Sequence, residues 1–403
     1  MVWLVAAACG DSKPAEPAPE PLPSPAAPAP QPPAPKPLTV REIFDIPFGV
    51  TVTHVRMDTT EGPCRVGIEY RSTTTLNAHR SLDVWGFAPG APAETTCEPG
   101  ASKSIPVMFR ALEQLAGLGT GTLALDADFG KDRPTVERYF AAIKQLPPDA
   151  DEGVVAKRLF DQNVFAAWQP FIDGLGYRVT EVDLFMLEPM RDHSGPIPPR
   201  VPRRVSLVLE PKGPIVTRGD RTTAPRTMKA VFGIPFEISL ELLGLRAEGG
   251  ACKAELEVRA HGLRIDVVPD SCEMTKEHME KELPAMFFAG AELIGRAPTS
   301  EIAMGSSFSV LPVMEKWIPA VRGKKFETDY KKLTARMIEA RVFAHLDPFI
   351  TAIGLKLTDV SIEKLSSESG AALLATHPSL ASTGLIAKDR IPVPMMTALI
   401  LTP

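Results

Sequence analysis

The feature that most constrains this chain is its similarity to itself. Ile43-Phe44-Asp45-Ile46-Pro47-Phe48 is answered by Val231-Phe232-Gly233-Ile234-Pro235-Phe236, an offset of 188, which also carries Cys64 onto Cys252 and Glu69 onto Glu257. Further on the offset becomes 178. It sets Leu115 on Leu293, Gly117 on Gly295, Pro134 on Pro312, Phe165 on Phe343, Pro170 on Pro348 and Gly176 on Gly354. Chance does not hold one register over so many positions, so the expected architecture is one domain written twice, at residues 40–211 and 228–403. The drop of ten between Glu69 and Pro106 places a shortened surface loop in the second copy.

Within each copy the hydrophobic period changes along the chain. Val50 to Val55 and Ile238 to Leu242 alternate apolar and polar residues, the period of a half-buried strand. Further strands are expected at 66–70 and 82–84, and at 254–258 and 263–267. Helical spacing follows, with Pro106, Pro284, Pro134 and Pro312 each expected in the first turn of a helix. Longer helices are expected from about Asp151 to Trp168 and from about Thr328 to Leu346. Two closing strands per copy follow, at 178–187 and 205–209 and at 356–362 and 397–401. Three strands, then helices, then two strands predict an α+β fold: an antiparallel or mixed sheet with helices on one face.

The amino terminus has a different character. Met1 to Cys9 is apolar, ends in Ala6-Ala7-Ala8, and is followed by Gly10. This stretch resembles a bacterial lipoprotein signal, although Ala6 stands where that motif usually has Leu, and a start codon further upstream is expected. The resemblance implies lipidation of Cys9 and a place in the cell envelope, in the periplasm or at the cell surface. Residues 10–39 read as a tether. From Pro14 to Pro37, 12 of 24 residues are proline, and such a chain favours extended polyproline II with a reach of roughly 70 Å.

Apart from Cys9 there are four cysteines, two per copy: Cys64 and Cys97, Cys252 and Cys272. Their parallel placement predicts the bridges Cys64–Cys97 and Cys252–Cys272, each worth about 3 kcal/mol in the chain-entropy model and each requiring an oxidising compartment. Spacings of 33 and 20 without a CxxC pair suit zinc poorly.

Chemistry is harder to find. Gly117 to Thr122 imitates a phosphate loop but follows a helix instead of opening one. Asp126, Asp128 and Asp132 could ligate calcium, yet the second copy has Met304, Ser306 and Val310 there. Ser361-Ile362-Glu363-Lys364 has the SxxK spacing on a strand end. The seven histidines do not recur between copies, and Glu69/Glu257 and Glu137/Glu315 fit a folding role. No catalytic residue, metal or cofactor is expected.

A net charge of −5 excludes a global cationic field for nucleic acid. Arg191 to Lys229, which includes the expected linker 212–227, is nevertheless basic, and Arg200, Arg203 and Arg204 are the candidate anion-binding strip, for an envelope polyanion or an acidic protein. The expectation is therefore a membrane-anchored, non-enzymatic binding or scaffolding protein. The alternatives are a carrier of an apolar ligand between sheet and helices, and an envelope hydrolase with dispersed catalytic groups.

Overall fold

The computed structural model describes residues 38–61, 64–72, 80–86, 98–118, 122–127, 129–190, 200–213, 220, 222–248, 254–261, 264–269, 275–296, 302–306, 311–322, 327–369 and 390–403. All belong to the compact unit Pro35–Pro403. Its first half runs α1 (Val40–Ile43), β1 (Gly49–Glu61), β2 (Cys64–Ser72), β3 (Arg80–Trp85), α2 (Glu98–Ala116), β4 (Leu123–Ala127), α3 (Arg133–Ile143), α4 (Glu152–Asp161), α5 (Gln169–Leu175), β5 (Tyr177–Pro189) and β6 (Arg200–Pro211). The second half runs α6 (Met228–Phe232), β7 (Ser239–Glu248), β8 (Ala254–Arg259), β9 (Arg264–Pro269), α7 (Leu283–Ile294), β10 (Ile302–Ser306), α8 (Leu311–Val321), α9 (Tyr330–Glu339), α10 (Asp347–Ala352), β11 (Lys356–Ser369) and β12 (Arg390–Thr402).

All twelve strands form one mixed sheet, ordered β11-β12-β10-β9-β8-β7-β1-β2-β3-β4-β6-β5. Reading outward from the centre, each half pairs its strands in the same sequence: first, second, third, fourth, sixth, fifth. The third and fourth are parallel in both halves, and every other pair is antiparallel. The halves meet at β1 and β7, which pair antiparallel with Val55 opposite Leu243. Left-handed backbone positions recur as well: Asp45 and Gly233, Gly117 and Gly295, Asn163 and Arg341, Gly176 and Gly354.

One register row crosses the whole sheet: Val360, Leu399, Met304, Ile265, Val258, Leu243, Val55, Tyr70, Leu82, Leu125, Leu207 and Val182. Its members outside β9 are all buried. Alternation along each strand turns this row toward the helices, and Gly290 of α7 lies against Val258 and Leu243. Phe109 of α2 packs edge-to-face on Tyr177 at 5.6 Å. Trp168 and Trp317 are completely buried beneath the helices, each with its indole N–H used: Trp168 donates to Asp132 at 3.1 Å, Trp317 to the Pro392 carbonyl at 2.7 Å. Asp132 is itself the buried N-cap of α3.

Three sequence expectations change. A short strand, β4 or β10, interrupts the helices of each half. It comprises only five residues and sits between helices, so periodicity gives it little signal. Pro106 lies inside α2 and does not open it, whereas Pro284 stands in the first turn of α7, which follows a π-helical turn at His278–Glu282. The long helices expected through Trp168 and Leu346 end at Asp161 and Glu339. The chain turns left-handed at Asn163 and Arg341 and re-enters helix after a short 3-10 turn.

Candidate functional site

Across the seam, on the face turned away from α2 and α7, polar residues replace the apolar row. Arg56, Glu69, Asp83, Asp126, Ser206 and Asp183 are successive register neighbours on β1, β2, β3, β4, β6 and β5. His54 stands at the centre of this face. Its Nε2 lies 2.7 Å from Glu69 Oε1 and its Nδ1 lies 3.2 Å from Glu257 Oε1. The imidazole thus joins a carboxylate of the first half to its counterpart in the second. Both ring nitrogens can donate together only in the protonated ring.

The reach to Glu257 depends on Gly244. In register, His54 faces Gly244 and Gly244 faces Glu257, so the ring must pass over β7 to meet β8. A methyl group on Gly244 would come within 2.7 Å of Thr53 Oγ1 and 2.9 Å of His54 Cβ. Only glycine leaves the passage open.

Arginines flank the three residues. Arg71 Nε donates to Glu69 at 2.8 Å, and Arg259 donates to Glu257, also at 2.8 Å. The two pairs are the same i, i+2 arrangement on β2 and on β8. Burial of Glu69 pushes its pKa up, but the hydrogen bonds from Arg71 and His54 outweigh it and hold the carboxyl below its usual range. The hydrogen bond from His54 lowers Glu257 likewise, against a smaller effect of burial. Asp83 moves the other way: burial raises it, and the nearby Glu69 charge adds to that, against Arg204 and Arg71. Arg56 stacks its guanidinium 5.0 Å from the centre of the Trp85 ring, which lies over Gly67. Arg204 and Ser206 both bind Asp126.

The face is therefore a lattice of alternating charge. The carboxylates lie low, and the guanidinium ends of Arg56, Arg71, Arg204 and Arg259 are about half exposed. Such a lattice can present several planar donors to a polar surface while keeping Glu69, Asp126 and Glu257 paired.

Of the residues singled out from the sequence, Arg200, Arg203 and Arg204 lie on β6 and not on a loose extended strip. Arg200 donates to the Ala150 carbonyl at 2.9 Å and the Leu187 carbonyl at 3.1 Å. Arg204 is paired with Asp126, while Arg203, one residue away on the strand, is exposed. Strand alternation sends Arg203 and Arg204 to opposite faces. Arg226, in the expected linker, clamps the fold: it donates to both oxygens of Glu292 at 2.9 and 3.0 Å and to the Ile43 carbonyl at 3.2 Å, and it stacks on Phe44 at 4.5 Å. Asp126 and Asp132, read as calcium candidates, diverge: one joins the polar lattice and the other caps α3. No group of metal-ligating side chains occurs among the described residues. Cys9, Cys97, Cys252 and Cys272 fall outside the described residues, as does Asp128. Cys64 opens β2, but its side chain is likewise outside the described set.

Sequence reasoning did not single out His54, because the offset of 188 sets it on Leu242. The available signal was a histidine on the polar phase of a central strand, two residues from Arg56. No family model, no curated protein and no solved structure matches this chain. No helix among the described residues is long and apolar enough to cross a membrane.

Proposed function

We propose that this chain is a lipid-anchored, non-enzymatic binding or scaffolding protein of the cell envelope, built from two copies of one domain fused through a shared sheet. The observation that carries the binding role is the charged lattice on the sheet face away from α2 and α7. Four arginines there direct half-exposed side chains outward from a platform in which Glu69, Asp126 and Glu257 are paired. The proline-rich tether behind Cys9 would hold that platform away from the membrane.

Duplication is supported by the seam itself. Under the offset of 188, Val55 maps onto Leu243, and these two residues face each other in the register. A pair that maps onto itself is what a two-fold axis between identical partners produces. The repeated strand order and the four matched left-handed positions support the same reading.

The test joins anchoring to binding. The chain is fused behind a complete lipoprotein signal sequence, labelled with palmitate, and cross-linked in cells through a photoreactive residue at Arg259. Palmitate should enter the wild type and not Cys9→Ser, and Arg71→Ser should remove the cross-linked species while the sheet amides keep their protection from hydrogen exchange. Equal labelling of Cys9→Ser would end the lipid reading. Cross-links indifferent to Arg71→Ser would end the lattice reading.

A further inference from the structure

At the outer end of the first half, a groove of about 410 Å³ runs between α4 and β5. β5 is the terminal strand of the sheet. Five consecutive residues of it, Thr180 to Leu184, line the groove. Successive strand residues point to opposite faces, so a groove touching all five runs along the backbone edge. The outward-facing N–H and C=O groups of a terminal strand border such a groove, and α4 takes up one of them just beyond it, where Leu187 N–H donates to Glu152 at 3.2 Å. The register also slips between Val179 and Glu181, where Thr180 turns its hydroxyl onto the Val208 carbonyl at 3.3 Å.

The other wall is α4. It contributes Phe160, 43% exposed, and the carboxylates of Glu152 and Asp161. Lys157, the one cation in the lining, is paired with Asp161 at 2.8 Å. Glu181 and Asp183 stand exposed on the strand. Exposed edges are ordinarily protected by lysine or proline; this one carries acids beside an exposed aromatic ring. Just beyond the groove, Phe185 is 57% exposed.

We propose that this groove docks an extended, lysine- or arginine-bearing segment of a partner polypeptide, which adds to β5 as a thirteenth strand. The backbone edge supplies the main-chain hydrogen bonds. Phe160 receives an apolar side chain on one phase of the segment. Glu181 and Asp183 receive cations on the other. The groove meets the charged lattice only at Asp183, the outer end of its row, and does not involve its arginines or the lipid anchor.

The probe is a fluorescent peptide of alternating Lys and Val, titrated into the full chain at low salt by anisotropy. Two comparison peptides carry Glu in place of Lys, or Pro in place of Val. The Lys-Val peptide should bind and should slow hydrogen exchange at the Thr180–Leu184 amides. The Glu and Pro peptides should not bind. Glu181→Lys with Asp183→Lys should weaken binding about tenfold or more, with exchange elsewhere unchanged. If that variant melts early, Glu181→Gln with Asp183→Asn replaces it, with a smaller loss in the same direction. Several results would overturn the proposal. They are no binding, equal binding of the Lys-Pro peptide, binding that survives the charge changes, and self-association of the free chain that the same changes abolish. The last would make a second copy the occupant.

Discussion

Glu113 lies on α2, completely enclosed between helix and sheet, and accepts a hydrogen bond from the Tyr177 hydroxyl at 2.5 Å. Its second carboxyl oxygen is buried without a partner. Burial, opposed by the Tyr177 hydrogen bond and the charge of Arg110, raises its pKa from 4.5 to about 8. The folded state therefore holds a proton that the unfolded chain releases. A carboxyl raised in this way contributes most stability below pH 4.5. That contribution falls as pH climbs toward 8 and levels off beyond it. The interval is roughly three and a half units at about 1.4 kcal/mol each, so the full penalty is on the order of 5 kcal/mol. Glu113→Gln keeps an acceptor for Tyr177 and cannot ionise. It should show no such slope, and its amide group, lacking a partner, should cost about 1–2 kcal/mol at every pH. Urea unfolding of both proteins at pH 5, 6, 7 and 8 measures the difference, and other titrating groups cancel in it. The variant should gain about 4 kcal/mol relative to wild type between pH 5 and pH 8. A difference that stays flat across that range would refute the account of Glu113 as a neutral, buried acid.

At the other end of the scale, Glu69 and Glu257 are held below their usual range. Their contribution is present above about pH 4.5 and is lost as pH falls through their folded values; acid titration of His54→Ala should show a shallower loss than wild type. Gly244→Ala should destabilise by roughly 1–3 kcal/mol, since the new methyl must displace Thr53 or His54, and calorimetry would register an unchanged melting temperature as failure. Arg226→Ala should cost roughly 1–2 kcal/mol, because it removes the partly exposed pair with Glu292 and the bond that holds α1, and amide exchange should quicken at Val40–Ile43. Mass mapping without reductant should recover Cys64–Cys97 and Cys252–Cys272, and cross-copy peptides would exclude that pairing.

Strand and helix types were legible wherever the period was long. β1, β5 and their counterparts read clearly, as did Gly176 as a left-handed helix cap, while β6 and β12 were read only at 205–209 and 397–401 because Pro202, Pro392 and Pro394 interrupt the strand signal before them. β4 and β10 did not, because five residues between helices carry too little alternation. The sequence also could not say that β1 and β7 pair. Both alternate like strands with one protected face, and nothing local marks which edge they share. The polar face was the least visible of all. Glu69 and Glu257 were recognised as recurring, but His54 recurs nowhere, and its role depends on the empty place at Gly244, on a strand of the other half.

The seam between β1 and β7 also sets a timetable. Val55 waits for Leu243, 188 residues later in the chain. At about 5–20 residues per second, that is roughly 10–40 s during which β1 has no neighbour on its inner side. The central strand of the finished sheet is thus an open edge for nearly half of the chain's synthesis. Contacts of such long range also slow folding, because the loop must close before the pairing stabilises it. A chain of this design has a vulnerable interval before the second half exists, when the open edge of β1 can add to another nascent copy.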